Sequence, residues 1–117
     1  AAGDSREAQR VIGDALDERW DAALVLAYGE CGQAGDVVGR IAQAEKWLQQ
    51  QPRDGALLLT LGRLCRQQQL WGKARSYLEA ALAIAPSRAA HVELAQLLDQ
   101  LEESALAVRH YRAAAVL

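Results

Sequence analysis

The feature that most constrains this chain is the spacing of 34 residues between its two prolines, Pro52 and Pro86. A fixed period of about 20–50 residues is typical of proteins built from stacked copies of one small unit. Each proline follows an apolar stretch whose helix it cannot continue, because proline has no backbone N–H. The spacing therefore predicts a solenoid in which each unit buries its apolar face against the next unit.

Turn-forming residues divide the chain into short segments whose apolar residues recur with a helical period. Ala and Leu, which favour helices, are abundant. Asp4, Asp54 and Ser87 are expected to cap three helices, since a short side-chain oxygen accepts N–H groups of the first turn. The sequence predicts an all-α solenoid of seven antiparallel helices, at about residues 4–17, 20–31, 36–51, 54–67, 70–85, 87–100 and 103–116.

Residues 55–86 have the alternation of large and small residues that marks the tetratricopeptide repeat (TPR), a helix–turn–helix unit. Gly62 lies in the middle of the first helix of this unit, where the second helix is expected to cross against Ala74 and Ala81. Three glutamines form the turn, which Trp71 is expected to cover. The residues that match the TPR pattern are Leu58, Leu61, Gly62, Cys65, Ala74, Leu78, Ala81 and Pro86, with Leu78 in place of an aromatic residue.

The units on either side of residues 55–86 differ in how well they match. Residues 88–117 match, with His91 as an unusual residue at a packing position. In residues 21–52, Tyr28, Arg40 and Trp47 stand where small residues are typical, so Tyr28 and Trp47 form either a wider internal packing or an exposed aromatic patch. The chain is interpreted as one TPR domain, residues 1–117, with a leading helix at 4–19 and repeats at about 21–52, 55–86 and 88–117. The leading helix is expected to act as the second helix of an earlier repeat, with one apolar face formed by Ala8, Val11, Ile12, Ala15 and Leu16.

The run LLLTLGRLCRQQQLWGKARSYLEAALAIAP (57–86) resembles the C-terminal region of HemY-type proteins, which are bacterial inner-membrane TPR proteins associated with haem biosynthesis. Segments 19–31, 42–52 and 89–101 support this resemblance. It implies a non-catalytic protein–protein interaction scaffold linked to late haem (protoporphyrin) biosynthesis, with haem-biosynthesis enzymes as partners. It also implies a parent protein anchored in the membrane outside this chain, with this domain soluble and on the cytoplasmic side.

Composition and motifs argue against several other function classes. The formal charge is −2 and the pI is about 5.7, so no nucleic-acid partner is expected. Cys31 and Cys65 form no CxxC pair, and both stand at interior helical positions that are typical of buried thiols. The chain has no Ser-His-Asp context, no phosphate-binding loop and no carboxylate pair expected to converge, so no enzyme, catalytic residue or cofactor is expected.

His91 and His110 are the histidines of the chain, and they stand on different predicted helices. No His/Cys pair has the i, i+3 or i, i+4 spacing that places two ligands on one helical face, so metal ligation by either histidine is not expected. Because the HemY-type resemblance links the chain to haem, direct binding or handover of haem or porphyrin stays open as the alternative function.

The partner-binding surface of a TPR array is its concave wall, which the first helix of each repeat lines. Here the wall is expected to be apolar at one end, with Arg63 and Arg66 in the middle. The two arginines are either solvated surface charges or a bidentate site for a partner's carboxylate. Val25 and Leu26 replace the Lys and Asn of TPRs that bind a chaperone's carboxylate tail, which argues against that role. The predicted groove residues are Val25, Leu26, Leu59, Thr60, Arg63, Arg66, Gln67, Val92, Glu93 and Gln96.

The last predicted helix has an apolar face with no following helix of the chain to cover it. This face predicts self-association, and a homo-oligomer would form through it. Its residues are Leu106, Val108, Ala113, Val116 and Leu117.

Overall fold

The computed structural model describes residues 2–30 and 37–117 and contains no β-strand in these two ranges. The all-α prediction is therefore confirmed for this part of the chain, and the helices begin and end close to the predicted residues. Asp4 is an exception, because the first helix already begins at Ala2 and contains it. The helices are α1 (Ala2–Glu18), α2 (Ala22–Glu30), α3 (Val37–Gln50), α4 (Gly55–Gln67), α5 (Trp71–Ile84), α6 (Arg88–Gln100) and α7 (Ser104–Ala115).

Two of the predicted N-caps are confirmed by their hydrogen bonds. The Leu57 N–H donates to Asp54 Oδ1 at 2.9 Å, and the Ala90 N–H donates to Ser87 Oγ at 3.1 Å. These bonds satisfy N–H groups that the first turns of α4 and α6 would otherwise leave without a partner. The two helices thus begin in the same way at equivalent places of two successive repeats.

The turns after α4 and α6 are also equivalent. Gln69 and Glu102 both adopt the left-handed conformation, each with φ of 60°. The residue after each closes the turn, since the Leu70 N–H donates to the carbonyl of Cys65 and the Glu103 N–H to that of Leu98. Such a turn satisfies carbonyls at the end of a helix and reverses the chain, so it produces the antiparallel hairpins α4–α5 and α6–α7.

Helix α4 lies at the centre of the array and packs against α2, α3, α5 and α6. Its side chains are buried on nearly every face, which places the middle of the hydrophobic core along this helix. Helix α1 packs on α2, as expected for the second helix of an earlier repeat. Leu16 is buried there, but Ala8 is exposed and Val11 is 52% exposed, so the prediction that these two residues belong to the packed face is wrong.

Tyr28 and Trp47 pack against each other inside the first repeat, with ring centroids 5.0 Å apart in an edge-on arrangement. Both rings are buried, so the wider internal packing is the correct interpretation and the exposed aromatic patch is wrong. The Trp47 indole N–H donates to Asp17 Oδ1 at 3.2 Å, and the Trp20 indole N–H donates to Asp54 Oδ2 at 2.7 Å. Both indole N–H groups thus have a carboxylate partner inside the repeat array.

Gly62 lies where α4 packs directly against Leu78 of α5. A Cβ atom at this position would lie 2.5 Å from Leu78 Cδ2, 2.6 Å from Leu78 Cγ and 3.5 Å from the carbonyl oxygen of Ala74. The helix crossing predicted at Gly62 is therefore present, but its main neighbour is Leu78 rather than Ala74 and Ala81. The close approach outweighs the cost of about 1 kcal/mol for a glycine inside a helix.

We expect Gly62→Leu to lower the free energy of unfolding by about 1–3 kcal/mol or more, because the new side chain overlaps the fully buried Leu78. Thermal and urea unfolding measure the effect. Gly72→Ala is the matched control, since a Cβ at exposed Gly72 meets no atom within 4 Å and should leave stability unchanged or slightly raised. A Gly62→Leu protein that unfolds with the wild-type midpoint would show that the two helices do not cross here.

Candidate partner-binding groove

A small apolar pocket lies where the N-terminal halves of α2, α4 and α6 meet the end of α5. Its volume is about 270 Å³, just below the roughly 300–1,000 Å³ of pockets that hold drug-sized ligands. It therefore has the size for one large side chain or two small ones. Small residues leave this space open, and the lining consists of Leu26, Gly55, Ala56, Leu59, Ala81, Ala85, Ser87, Ala89 and Ala90.

Leu26 and Leu59, two of the predicted groove residues, line this pocket. Val25 and Thr60 do not lie on the open surface as predicted, because both side chains are fully buried. The Thr60 hydroxyl donates to the carbonyl oxygen of Val25 at 3.2 Å, and Gly29 packs directly against the Thr60 side chain. Val25 and Thr60 therefore hold α2 against α4 behind the groove instead of lining it.

Arg63 and Arg66 of α4 both bind Glu93 of α6. Arg63 Nε donates to Glu93 Oε1 at 3.0 Å, and Arg66 Nη2 lies 3.0 Å from Glu93 Oε2. The side chain of Glu93 is only 14% exposed, and those of Arg63 and Arg66 are 21% and 24% exposed. The arginines are therefore not freely solvated charges, since an internal carboxylate already engages both of them.

The rest of the predicted wall is polar. Arg66 Nη2 also donates to Gln96 Oε1 at 3.2 Å, and Gln67 is exposed beside it. Val92 is half-buried on α6, and the Tyr111 hydroxyl donates to Asp99 Oδ2 at 3.0 Å at the far end. Along α4 and α6 the groove thus passes from the apolar pocket, through the arginine–glutamate cluster, to a polar end.

Trp71 lies at the turn between α4 and α5, where the sequence places it. It is half-buried and packs against the core, and it borders a shallow depression with Arg66, Gln67, Gln69 and Gln100. The ring therefore covers the turn and extends the polar end of the groove.

A second polar cluster lies on the opposite side of α5 and joins it to α3. The Tyr77 hydroxyl donates to Glu45 Oε2 at 2.5 Å, and Lys73 Nζ lies 2.9 Å from the same oxygen. The hydrogen bond from Tyr77, followed by the contact with Lys73, lowers the pKa of Glu45. Burial and then the bond to Glu45 raise the pKa of Tyr77. The cluster stabilises neighbouring repeats and does not face the groove pocket.

Cys65 is fully buried in α4, and burial raises the pKa of its thiol to about 11. A thiol of this kind is protonated at neutral pH and inert, as the sequence predicts. Cys31, the other cysteine, lies outside the residues that the structure describes. Within residues 2–30 and 37–117, no three His, Cys, Asp or Glu side chains converge as ligands for a metal ion.

His91 and His110 meet across α6 and α7, with 3.0 Å between their Nδ1 atoms. Burial, and next the neighbouring His91, lower the pKa of His110. Sequence reasoning missed this pair because it searched for ligand spacings within one helix. The repeat register could have predicted the pair, because it packs the first helix of each hairpin, which carries His91, against the second helix, which carries His110.

Comparison with known proteins defines the class of fold. No protein-family model matches the sequence, and no match is found among curated proteins. Among solved structures, the chain is similar to "MamA MSR-1 C2", a TPR-like helical protein, with a TM-score of 0.70 over 97% of this chain and 67% of that one. The sequence identity is 14%, so the likeness concerns the fold. The predicted TPR-type solenoid is confirmed, and the comparisons do not extend to the HemY-type family.

None of the helices in the described ranges combines the length and the hydropathy that crossing a bilayer requires.

We expect Glu93→Gln to lower the free energy of unfolding by about 1–2 kcal/mol, because it leaves two largely buried guanidinium groups without their carboxylate. Urea unfolding at low and high salt measures the loss. Glu79→Gln is the control: its pair with Arg75 spans 3.7 Å and Glu79 is 57% exposed, so the change should cost less than about 0.5 kcal/mol. Equal midpoints for Glu93→Gln and wild type would mean that the cluster contributes nothing to folding.

Proposed function

We propose that this chain is a non-catalytic protein–protein interaction module that binds a short segment of a partner protein in the groove along α2, α4 and α6. The supporting observation is that an apolar pocket of about 270 Å³ and the cluster of Arg63, Arg66 and Glu93 lie on one wall. The pocket accepts an apolar side chain of the partner. The cluster offers guanidinium N–H groups and a carboxylate to polar atoms of the same segment.

The proposal extends to the biological setting through the HemY-type resemblance of residues 57–86. Under this extension the partner is an enzyme of late haem biosynthesis, and the parent protein holds this domain at the cytoplasmic side of the bacterial inner membrane. The support for this extension is the resemblance alone. Without it, the groove still supports the proposal of a protein partner with both apolar and polar side chains.

Self-association through α7 is a separate part of the proposal. Val108, Val116 and Leu117 are 43%, 85% and 51% exposed, which leaves apolar surface for a second copy to cover. Leu106 and Ala113 contribute less than the sequence suggests, since both are half-buried and Leu106 packs against the core. An interface of this composition is apolar and is weakly sensitive to salt.

Direct haem binding, the alternative that the resemblance left open, has no favourable geometry in the described residues. The groove pocket is small for a porphyrin, and its lining has no histidine or cysteine. The Nδ1 atoms of His91 and His110 are 3.0 Å apart, whereas two axial nitrogens on opposite faces of a porphyrin lie about 4 Å apart for metal–nitrogen bonds of about 2 Å.

We therefore expect no Soret shift when haem is titrated into the folded protein, because no described site combines a haem-sized pocket with an axial ligand. Absorbance spectra with ferric and ferrous haem make the measurement. Albumin, which binds haem, serves as the positive control. A saturable shift at one haem per chain that is lost in His110→Asn would restore the haem-binding alternative.

We expect Ala89→Trp to weaken partner binding at least about tenfold, because an indole placed at the exposed start of α6 fills the pocket that the partner's side chain enters. The ligands are peptides selected from a random display library on the wild-type protein, and their affinities are measured by calorimetry. Val38→Trp is the matched control, since Val38 is 61% exposed on α3 and does not border the pocket. Thermal melts verify that both variants fold. Equal affinities for Ala89→Trp and wild type would contradict binding in the groove.

A further inference from the structure

The histidine pair of the last hairpin brings two metal-ligating atoms together. His91 Nδ1 of α6 lies 3.0 Å from His110 Nδ1 of α7, and the ring centroids are 5.2 Å apart with a tilt of 35°. Both residues are half-buried, so the pair is anchored in the hairpin and still reached by water. In this arrangement, one neutral imidazole donates its Nδ1–H group to the Nδ1 lone pair of the other.

The fold itself does not require two imidazoles at this place. The same positions of the preceding repeat, counted from the N-caps Asp54 and Ser87, are occupied by Leu58 and Tyr77. Leu58 is buried in the core there, and Tyr77 packs against the core while its hydroxyl reaches Glu45. The same hairpin is thus built without a nitrogen ligand, and the two histidines are a departure that packing alone does not explain.

We propose that His91 and His110 bind one divalent transition-metal ion of the nickel or copper type through their Nδ1 atoms, with water completing the coordination. Imidazole nitrogens suit these ions. Two metal–nitrogen bonds of about 2.05 Å that meet at a right angle place the nitrogens about 2.9 Å apart, and a tetrahedral angle places them about 3.3 Å apart. The observed 3.0 Å is the length of the hydrogen bond between the rings and lies between these two separations, so binding needs little change in the distance between the two Nδ1 atoms. Square-planar and octahedral ions prefer the right angle.

Binding requires a rearrangement that keeps the charge of the pair unchanged. The imidazole that donates from Nδ1 moves this proton to its Nε2 atom, so that both Nδ1 lone pairs become available. Each ring then turns its lone pair away from the line between the two Nδ1 atoms, by about 45° for a right-angled site, so that both lone pairs meet at the metal ion. No bond other than the metal–nitrogen bonds forms, and no oxidant or reductant takes part.

The surroundings of His110 favour its neutral form, which is the form that binds a metal ion. Burial and the proximity of His91 lower the pKa of His110, so the proton competes weakly with a metal ion. From α5, Glu79 attracts a cation toward His110, while Arg75 opposes it. Arg75 is itself paired with Glu79 at 3.7 Å and with Glu103 at 3.0 Å, so its positive charge is largely compensated.

A metal ion at this place ties α6 to α7, and its binding should therefore stabilise the last hairpin. We expect saturating Ni²⁺ at pH 7.5 to raise the melting temperature by about 3–6 °C. Zn²⁺, which prefers a tetrahedral angle, should raise it less, and Mg²⁺, which prefers oxygen ligands, should not change it. At pH 5.5 the Ni²⁺ effect should shrink, since protons compete more strongly with the metal ion for imidazole nitrogens at lower pH.

The matched control is the double variant His91→Leu with His110→Tyr, which installs the pair that the preceding repeat carries. Its melting temperature should not respond to Ni²⁺. Any contribution from Cys31 or the terminal amine is shared by both proteins and is removed by the comparison. Equal shifts in the wild type and the double variant, or no shift in the wild type at 1 mM Ni²⁺, would overturn the proposal.

A second measurement keeps the proposal testable if the double variant fails to fold. Ni²⁺ held by two imidazoles, with water completing an octahedral coordination, is paramagnetic, so in nitrogen–proton NMR spectra of the wild type it broadens signals near its site. Broadening centred on His91 and His110 supports the proposal. Broadening centred elsewhere, or unchanged broadening in the single variant His110→Asn, would place the ion at another site and overturn it.

Discussion

The close approach of α4 to α5 at Gly62 is the contact on which the rest of the array depends. Without a side chain at this point, Leu78 fills the space between the two helices and becomes fully buried. The hairpin then presents α4 to α2 and α3 on one side and to α6 on the other. A wider hairpin would move α4 away from its neighbours, so one absent Cβ sets the spacing of the whole solenoid.

The groove follows from this spacing and from the distribution of side-chain sizes along it. At the N-terminal ends of α4 and α6, Gly55, Ala56 and Ala89 leave a pocket because none of them fills the space between the helices. One helical turn or more further along, Arg63 and Glu93 bridge the same two helices with long side chains. The ion pair between Arg63 and Glu93 joins the two helices at the polar part of the wall, and the apolar part stays open as the pocket. A partner segment lying along the groove would contact the apolar pocket and the charged cluster in a fixed order.

The repeat period made the helices, their order and the N-caps Asp54 and Ser87 predictable, because a TPR register fixes which positions face inward. It also placed Leu26 and Leu59 in the groove. It failed for Val25 and Thr60, since a small rotation of a helix about its axis decides whether a residue at the edge of a face is open or covered. The register could have paired Arg63 with Glu93, but rotamer choice decides whether a long side chain reaches its partner, and sequence does not contain that choice.

The three repeats place side chains of different size and chemistry at equivalent packing positions. Comparing them distinguishes residues that serve packing from residues that could bind a ligand. In the first repeat, Tyr28 and Trp47 are oversized, but their rings pack together and the Trp47 N–H finds Asp17, so the departure is absorbed by packing. In the last repeat, His91 and His110 depart from the pattern and contact each other through a half-buried hydrogen bond between their Nδ1 atoms. Such a bond is a modest gain for two titratable groups at places where the preceding repeat has Tyr77 and the buried Leu58. Because the preceding hairpin is built with Leu58 and Tyr77 at these places, a metal ion bound by the two nitrogens, as proposed above, would account for the histidines.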